Sequence, residues 1–266
     1  MHVHLKPTFR DALAASDRTL AGMWLCTGSP TLAEICAESG MDFLLIDMEH
    51  APNGLESTLV QLQAVAPFPA TAVVRVPIGD TIIIKQVLDL GAQNLLVPMV
   101  SSRADAEAVV SAMHYPPRGR RGVGSALARS SRWNRVDDYL TNADAYVSLF
   151  VQVETAEAVE NAAEIAAVDG VDGVFVGPSD LAASMGLIGQ QAHPDVLAAA
   201  HRVFDAARAA GKPVGVNAFD PATAQAYVDA GVDFVLVGAD VSLVARGSEA
   251  LAARWARGAG EERASY

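Results

Sequence analysis

The chain has 266 residues, 51% of them hydrophobic and 6% aromatic, with a net charge of −12. That length and apolar share suit one large α/β domain with a sizeable core, and the acidity argues against nucleic acid, whose phosphates need a basic surface. Residues 1–10 show no apolar stretch of the signal-peptide kind, no run of about 18 apolar residues predicts a membrane span, and Cys26 and Cys36 are too few for a cysteine metal cluster and point to a reducing cytoplasm.

Residues 1–18 read as an N-terminal arm and helix. Eight short apolar runs then read as buried strands: Ala21 to Leu25, Phe43 to Ile46, Ala72 to Val76, Asn94 to Val97, Val147 to Val153, Gly173 to Val176, Val214 to Val216 and Phe234 to Val237. Ala-rich amphipathic segments between them predict helices, among them Ser57 to Val65, Arg103 to Met113, Ala156 to Val168, Val196 to Ala210 and Pro221 to Ala230. Four helix-to-strand joins repeat one phrase, with Gly40, Gly91, Gly211 or Gly231 just before a strand. Glycine suits the left-handed position that ends a helix. Alternating strands and helices indicate a parallel sheet, and eight units in about 250 residues predict a single-domain (β/α)8 barrel spanning 1–266. A doubly wound open sheet would want a G-x-G-x-x-G turn after its first strand, and Thr27-Gly28-Ser29-Pro30 does not supply one.

One long connection, Tyr115 to Ala145, concentrates Arg118, Arg120, Arg121, Arg129, Arg132 and Arg135. It fits a solvated loop or subunit contact, and equally a wall facing an anionic substrate. The last residues, Gly258 to Tyr266, predict a frayed polar tail.

In a barrel, chemistry collects at the carboxyl ends of the strands. There the sequence delivers Asp47-Met48-Glu49-His50, then Arg75, then Gln152-Val153-Glu154, then Gly177-Pro178-Ser179-Asp180. Ser179 or Asp180 is expected to cap the helix after the Gly177-Pro178 turn. Glu154 and Asp180 come from neighbouring strands and repel unless a cation lies between them. Hard oxygen ligands suit Mg2+ or Mn2+; a metal-free acid–base pair is the competing reading. Arg75, pointing inward, meets an oxyacid or a structural carboxylate, Asp47 or Glu49. His50 among acids is a candidate proton-transfer group. Lys6, Lys85 and Lys212 all lie away from the carboxyl ends of the strands, which argues against imine chemistry.

These segments together, with Val74-Arg75-Val76-Pro77, Tyr115-Pro116-Pro117-Arg118-Gly119-Arg120-Arg121-Gly122-Val123-Gly124 and Phe175 through Gly186, resemble the HpcH/HpaI aldolase family over nearly the whole chain. The resemblance implies a (β/α)8 barrel, usually hexameric, with its C-terminal helix exchanged between subunits. It implies a class II aldolase of aromatic-compound catabolism that reversibly cleaves a 4-hydroxy-2-oxo acid, such as 4-hydroxy-2-oxoheptanedioate or a 2-keto-3-deoxy sugar acid, to pyruvate and an aldehyde. It implies Glu154 and Asp180 as ligands of Mg2+, Mn2+, Co2+ or Zn2+, with no organic cofactor. Arg75 would hold the keto oxygen. Gln152 and the Gly177-Pro178-Ser179 turn would place pyruvate. His50, oriented by Asp47, would move protons. Trp24 would lie near the substrate, and Asp89 would reach the site of the adjacent subunit. A malyl- or citramalyl-CoA-type lyase and a non-catalytic oxyacid-binding barrel are the alternatives.

Overall fold

The computed structural model describes residues 3–256, and over them eight parallel strands close a barrel. They are β1 (Leu20–Leu25), β2 (Phe43–Asp47), β3 (Thr71–Arg75), β4 (Asn94–Val97), β5 (Ser148–Val153), β6 (Gly173–Val176), β7 (Val214–Asn217) and β8 (Phe234–Ala239). Each pairs with its sequence neighbour, and β8 closes against β1. All eight predicted runs are strands. β7 and β8 run on to Asn217 and Ala239, beyond the apolar stretches that announced them. The four glycines predicted to end helices have left-handed backbones, with φ of 92°, 91°, 70° and 81° at Gly40, Gly91, Gly211 and Gly231.

The segment predicted as one helix from Ala156 to Val168 is two, Ala156–Glu160 and Ala162–Ala166. Asn161 interrupts it: its side-chain Nδ2 donates to the Ser101 carbonyl at 2.8 Å, and its backbone leaves the helical region at φ −93°, ψ 3°. Lys85 lies in the helix Thr81–Asp89, away from the strand ends as expected.

Two layers of apolar side chains hold the barrel. The outer layer packs the strands against the surrounding helices and is built from Val, Ile, Leu and Ala. The inner layer fills the barrel with Phe43, Phe150, Phe175 and Phe234. Phe9, on the short helix Phe9–Ala14, plugs the amino-terminal end, with its ring 4.7 Å from Phe43, 5.1 Å from Phe150 and 5.2 Å from Phe234. These five rings fit because strand glycines make room for them. A Cβ on Gly22 would lie 2.6 Å from the Phe43 ring. Gly22→Ala is therefore expected to cost about 1–3 kcal/mol through overpacking; urea denaturation with an unchanged midpoint would show that the interior is looser than this.

The arginine-rich connection starts after the helix Arg103–Met113 and ends at β5, so both its ends lie at the amino-terminal rim of the barrel. Arg118 pairs with Asp144 at 2.9 Å, Arg120 donates to the Ala108 carbonyl, Arg121 pairs with Asp89 at 3.1 Å, and Arg129 donates to the Leu90 carbonyl. None of these arginines lines the cavity at the opposite rim. The substrate-wall reading is thus corrected within one chain: charge clustering is visible in sequence, but the rim it occupies follows from the connection between an αβ end and the next strand. The predicted frayed tail, Gly258 to Tyr266, lies outside the described residues.

Candidate active site

The carboxyl ends of the strands open onto a cavity of about 260 Å3. Its wall takes Trp24 and Cys26 from the end of β1, Asp47 and His50 from β2, Arg75 from β3, Gln152 from β5 and the Gly177-to-Asp180 turn from β6. Asn217, Phe219, Val241 and Ser242 complete it from β7 and β8.

Asp47 and Arg75 are register partners across β2 and β3. Arg75 is 6% exposed, and a guanidinium so buried needs compensating charge. Its Nε and Nη2 donate to the two Asp47 oxygens at 2.8 and 2.9 Å. Its Nη1 lies 3.0 Å from Glu49 Oε2, and its face covers the Trp24 ring at 4.2 Å. The structural-carboxylate reading of Arg75 is therefore realised, and the bidentate brace also fixes which way the fork points.

Asp47 also accepts the backbone N–H groups of Glu49 and His50 at 3.0 and 3.3 Å. It anchors the His50 backbone, not its ring. This corrects the expectation that Asp47 orients the imidazole: Arg75 occupies the carboxylate oxygens that would do so. The His50 ring stands at the rim, 63% exposed, with Nε2 3.9 Å from Glu49 Oε2.

β5 and β6 place the two predicted metal ligands in one electrostatic field, Asp180 lining the cavity and Glu154 buried beside its Gly177 wall. Val153 is opposite Val176, which sets Glu154 beside Gly177. A Cβ at Gly177 would lie 2.7 Å from Glu154 Oε2 and 2.9 Å from Gln152 Nε2, so close backbone approach requires glycine here. Glu154 is 2% exposed. Its Oε1 accepts the Met99 N–H at 2.7 Å and its Oε2 accepts from Gln152 Nε2. Met99 has φ 57°, a left-handed backbone rare for a side chain of this kind, and that conformation aims its N–H at Glu154. The helix Pro178–Ser184 begins with Gly177 as its cap and Pro178 as its first residue. Ser179 and Asp180 therefore lie in the first turn and do not cap it, contrary to expectation. Proline, with fixed φ and no N–H to leave unpaired, takes the first position instead. Both Ser179 and Asp180 are exposed to the cavity.

Burial pushes the Glu154 carboxyl up to about 7; hydrogen bonds from Met99 and Gln152 oppose this, and the charges of Asp180 and Glu49 add to it. Burial raises Glu49 as well, against the pull of Arg75. Three carboxylates thus share one field; Glu49 Oε2 has only the Arg75 guanidinium beside it, at 3.0 Å, and the neighbouring buried amide oxygen Gln152 Oε1 lacks a hydrogen-bond donor. This donor set fits a divalent cation. The described residues do not gather three His, Cys, Asp or Glu ligands around one point. Two protein carboxylates would leave the other positions to substrate and water, the pattern of Mg2+-type sites.

The residue pattern of this rim has counterparts among known proteins. The profile of the HpcH/HpaI aldolase/citrate lyase family matches residues 20–247. The chain belongs to this family. The 4-hydroxy-2-oxo-heptane-1,7-dioate aldolase of Salmonella paratyphi B (strain ATCC BAA-1250 / SPB7) is 51% identical over 251 residues, 94% of this chain and 95% of that protein. The crystal structure of an HpcH/HpaI aldolase/citrate lyase family protein from Burkholderia cenocepacia J2315 matches with TM-score 0.88 and 41% identity, over 92% of this chain and 97% of that one. An HpcH/HpaI aldolase from Desulfitobacterium hafniense DCB-2 matches with TM-score 0.84 and 28% identity, over 93% and 97% of the two chains. The protein is an aldolase, a carbon–carbon lyase.

This HpcH/HpaI aldolase has site residues that its motifs did not announce. Asn217, the last residue of β7, accepts the Trp24 Nε1–H on its Oδ1 at 2.8 Å. Its signal was present, an Asn at a strand's carboxyl end, but the apolar run stops one residue short of it. Met99 acts through its backbone, for which sequence carries no signal. Asp240, 2% exposed, accepts the N–H groups of Cys26 and Thr27 at 2.7 and 3.1 Å and so ties the loop after β1 to the start of the helix Asp240–Trp255. The Cys26 thiol is pushed up to about 12 by burial, with Asp47 and Asp240 adding to it, and so stays protonated and is no nucleophile. Asp89 ends the helix Thr81–Asp89 and faces Arg121 at the amino-terminal rim, away from its own chain's cavity.

Proposed function

We propose that the protein is a divalent-metal-dependent pyruvate aldolase that reversibly cleaves a 4-hydroxy-2-oxo acid, of the 4-hydroxy-2-oxoheptanedioate or 2-keto-3-deoxy sugar-acid kind, to pyruvate and an aldehyde. The observation that carries this reading is one small cavity lined by Asp180, Gln152 and the braced Arg75, with Glu154 buried beside its Gly177 wall in the field of Asp180. Glu154 and Asp180 are the residues that would hold the ion, Mg2+, Mn2+ or Co2+, with Zn2+ also suited to such oxygens. When bound, the ion supplies Lewis acidity toward the keto oxygen of the 2-oxo acid.

The protein's own groups do the rest. Gln152 and the Ser179 backbone, beside Gly177 and Pro178, seat the carboxylate and keto group. Arg75, held rigid by Asp47 and Glu49, meets the negative charge that develops on the keto oxygen without reorganising. His50 takes the 4-hydroxyl proton, directly or through a water. The C3–C4 bond breaks, the aldehyde departs, and the bonding pair stays with pyruvate as its enolate. A proton delivered to C3 completes pyruvate. Trp24 shields Arg75 from water along one face.

A homo-oligomer, hexameric with exchanged C-terminal helices, fits the helix Asp240–Trp255. Leu243, Val244, Leu251 and Trp255 are 62%, 52%, 63% and 75% exposed there, an apolar face that its own chain leaves uncovered. In such an assembly Asp89 would serve a neighbour's cavity. A cytoplasmic setting accords with two free cysteines, and no described helix is long and apolar enough to cross a membrane.

The test is chelation. EDTA is expected to abolish cleavage of a 4-hydroxy-2-oxo acid, and Mn2+, Co2+ or Mg2+ to restore it. Full turnover in chelator would sink the metal-dependent reading.

A further inference from the structure

His50 receives the proton in the reaction above, yet its ring does little to hold its own place. None of the hydrogen bonds among the described residues uses the imidazole, and its ion-pair partner Glu49 lies 3.9 Å away. The position of the ring therefore rides on the backbone of the segment 48–54, between β2 and the helix Leu55–Val65. A connecting segment stays mobile unless it is tied down. Asp47 ties the near end, by accepting the N–H groups of Glu49 and His50. The far end is tied by Asn53, a polar residue only 8% exposed.

The Asn53 amide uses every hydrogen-bonding capacity it has. Its Nδ2 donates to the Leu25 carbonyl at the end of β1, at 3.3 Å, and to the Asp47 carbonyl at the end of β2, at 2.7 Å. Its Oδ1 accepts from Gln61 Nε2 at 2.7 Å and from Ser57 Oγ at 3.1 Å, both on the helix Leu55–Val65. Backbone carbonyls can only accept, so these partners settle which way the amide faces. The Asn53 backbone N–H donates to the Ala51 carbonyl at 2.7 Å, which folds the chain back just past His50. One side chain thus joins two strand ends to a helix, three residues after the histidine. Asparagine alone offers two donors and two acceptors on so short a stem.

We infer that Asn53 is a positioning residue for proton transfer: it fixes the backbone that carries His50, and with it the reach of the imidazole to the 4-hydroxyl group. The inference rests on the reading of His50 as the proton acceptor. Asn53 does not line the cavity, so it acts on the reaction only through what it holds. The oxo-acid half is held by other means. Arg75 is set by its register opposite Asp47 and by both Asp47 oxygens, and Gln152 and the turn at 177–180 belong to β5 and β6. Loosening Asn53 therefore slows proton transfer and spares the seat of the oxo acid.

The experiment measures kcat for cleavage of a 4-hydroxy-2-oxo acid with Mn2+, beside the inhibition constant of oxalate, a planar dianion shaped like pyruvate enolate that reports on the oxo-acid half alone. Asn53→Ala is expected to lower kcat about ten- to a hundredfold, the scale of misplacing a general base by about an ångström, with oxalate inhibition essentially unchanged. Added to His50→Gln, it is expected to lower kcat no further, because a residue that acts through His50 then has nothing to act on. An undiminished kcat in Asn53→Ala, an equal loss of oxalate affinity, or a full second loss in the double variant overturns the inference and leaves the aldolase reading intact. An undiminished kcat in His50→Gln overturns the proton-acceptor reading and the inference with it. Should Asn53→Ala not fold, Asn53→Asp decides by the same split. It fills the same volume and still accepts from Gln61 and Ser57, but donates to neither carbonyl.

Discussion

Arg75→Ala is expected to lower kcat/KM for retro-aldol cleavage by about a hundred- to a thousandfold, the range seen when one preorganised donor to a developing oxyanion is removed. The geometry gives the effect a second part. Arg75 is the cation between Asp47 and Glu49, both on β2 or just past it. Its removal leaves Asp47, 1% exposed, as an uncompensated buried charge, and breaking a buried pair costs about 3–5 kcal/mol. Loss of activity and loss of stability are therefore expected together, and one must not be mistaken for the other. Arg75→Lys separates them. It keeps the positive charge and most of the stability, measured by denaturant midpoint. It loses the fork that donates to Asp47 through Nε and Nη2 and the flat face on Trp24, and so much of the rate. A lysine variant with close to wild-type kcat/KM would show that only the charge at this position matters.

The barrel was legible because its signals are local and repeated. Apolar runs of three to seven residues, four of them preceded by a glycine that ends a helix, predict βαβ units wherever they occur, and all eight were strands. The acidic and cationic rim was legible for the same reason: residues at 47–50, 75, 152–154 and 177–180 follow strands directly. What stayed hidden depends on geometry that no pattern encodes. Met99 contributes a backbone N–H in a left-handed conformation, and a Met after a proline advertises nothing. Asn217 matters because Trp24, nearly two hundred positions earlier, turns its indole N–H toward it. The charge between Asp47 and His50 looked like a carboxylate–imidazole pair in sequence, yet the cross-strand register gives Asp47 to Arg75. The arginines of the long connection were visible as a cluster, while their placement at the far rim follows from topology alone.

Glu154→Gln is expected to abolish binding of the divalent ion and to stabilise the metal-free protein above neutral pH. The sign follows from the direction of the shift. Burial, with Asp180 and Glu49 nearby, holds the folded Glu154 carboxyl up to about 7, against an ordinary value near 4.5. Below pH 4.5 the group is neutral in both states and costs nothing. As pH rises toward 7 the unfolded chain ionises first, so folding stability is lost across that window, in total about 3 kcal/mol. Glutamine does not titrate and escapes this loss. It is also accommodated: the Met99 N–H can still donate to its Oε1, and Gln152, whose Oε1 has no donor in the wild type, can turn that oxygen toward the new amide. The measurement is thermal denaturation of both proteins in EDTA at pH 5 and pH 8, repeated at pH 8 with Mn2+. The variant should gain on the wild type between pH 5 and pH 8 in EDTA, and Mn2+ should raise the melting temperature of the wild type alone. Because every other titrating group is common to the two proteins, their difference isolates residue 154. A wild type that gains on the variant as pH rises, without metal, would mean that Glu154 is comfortably ionised where it sits, and that its burial among acids is not what prepares the site for a cation.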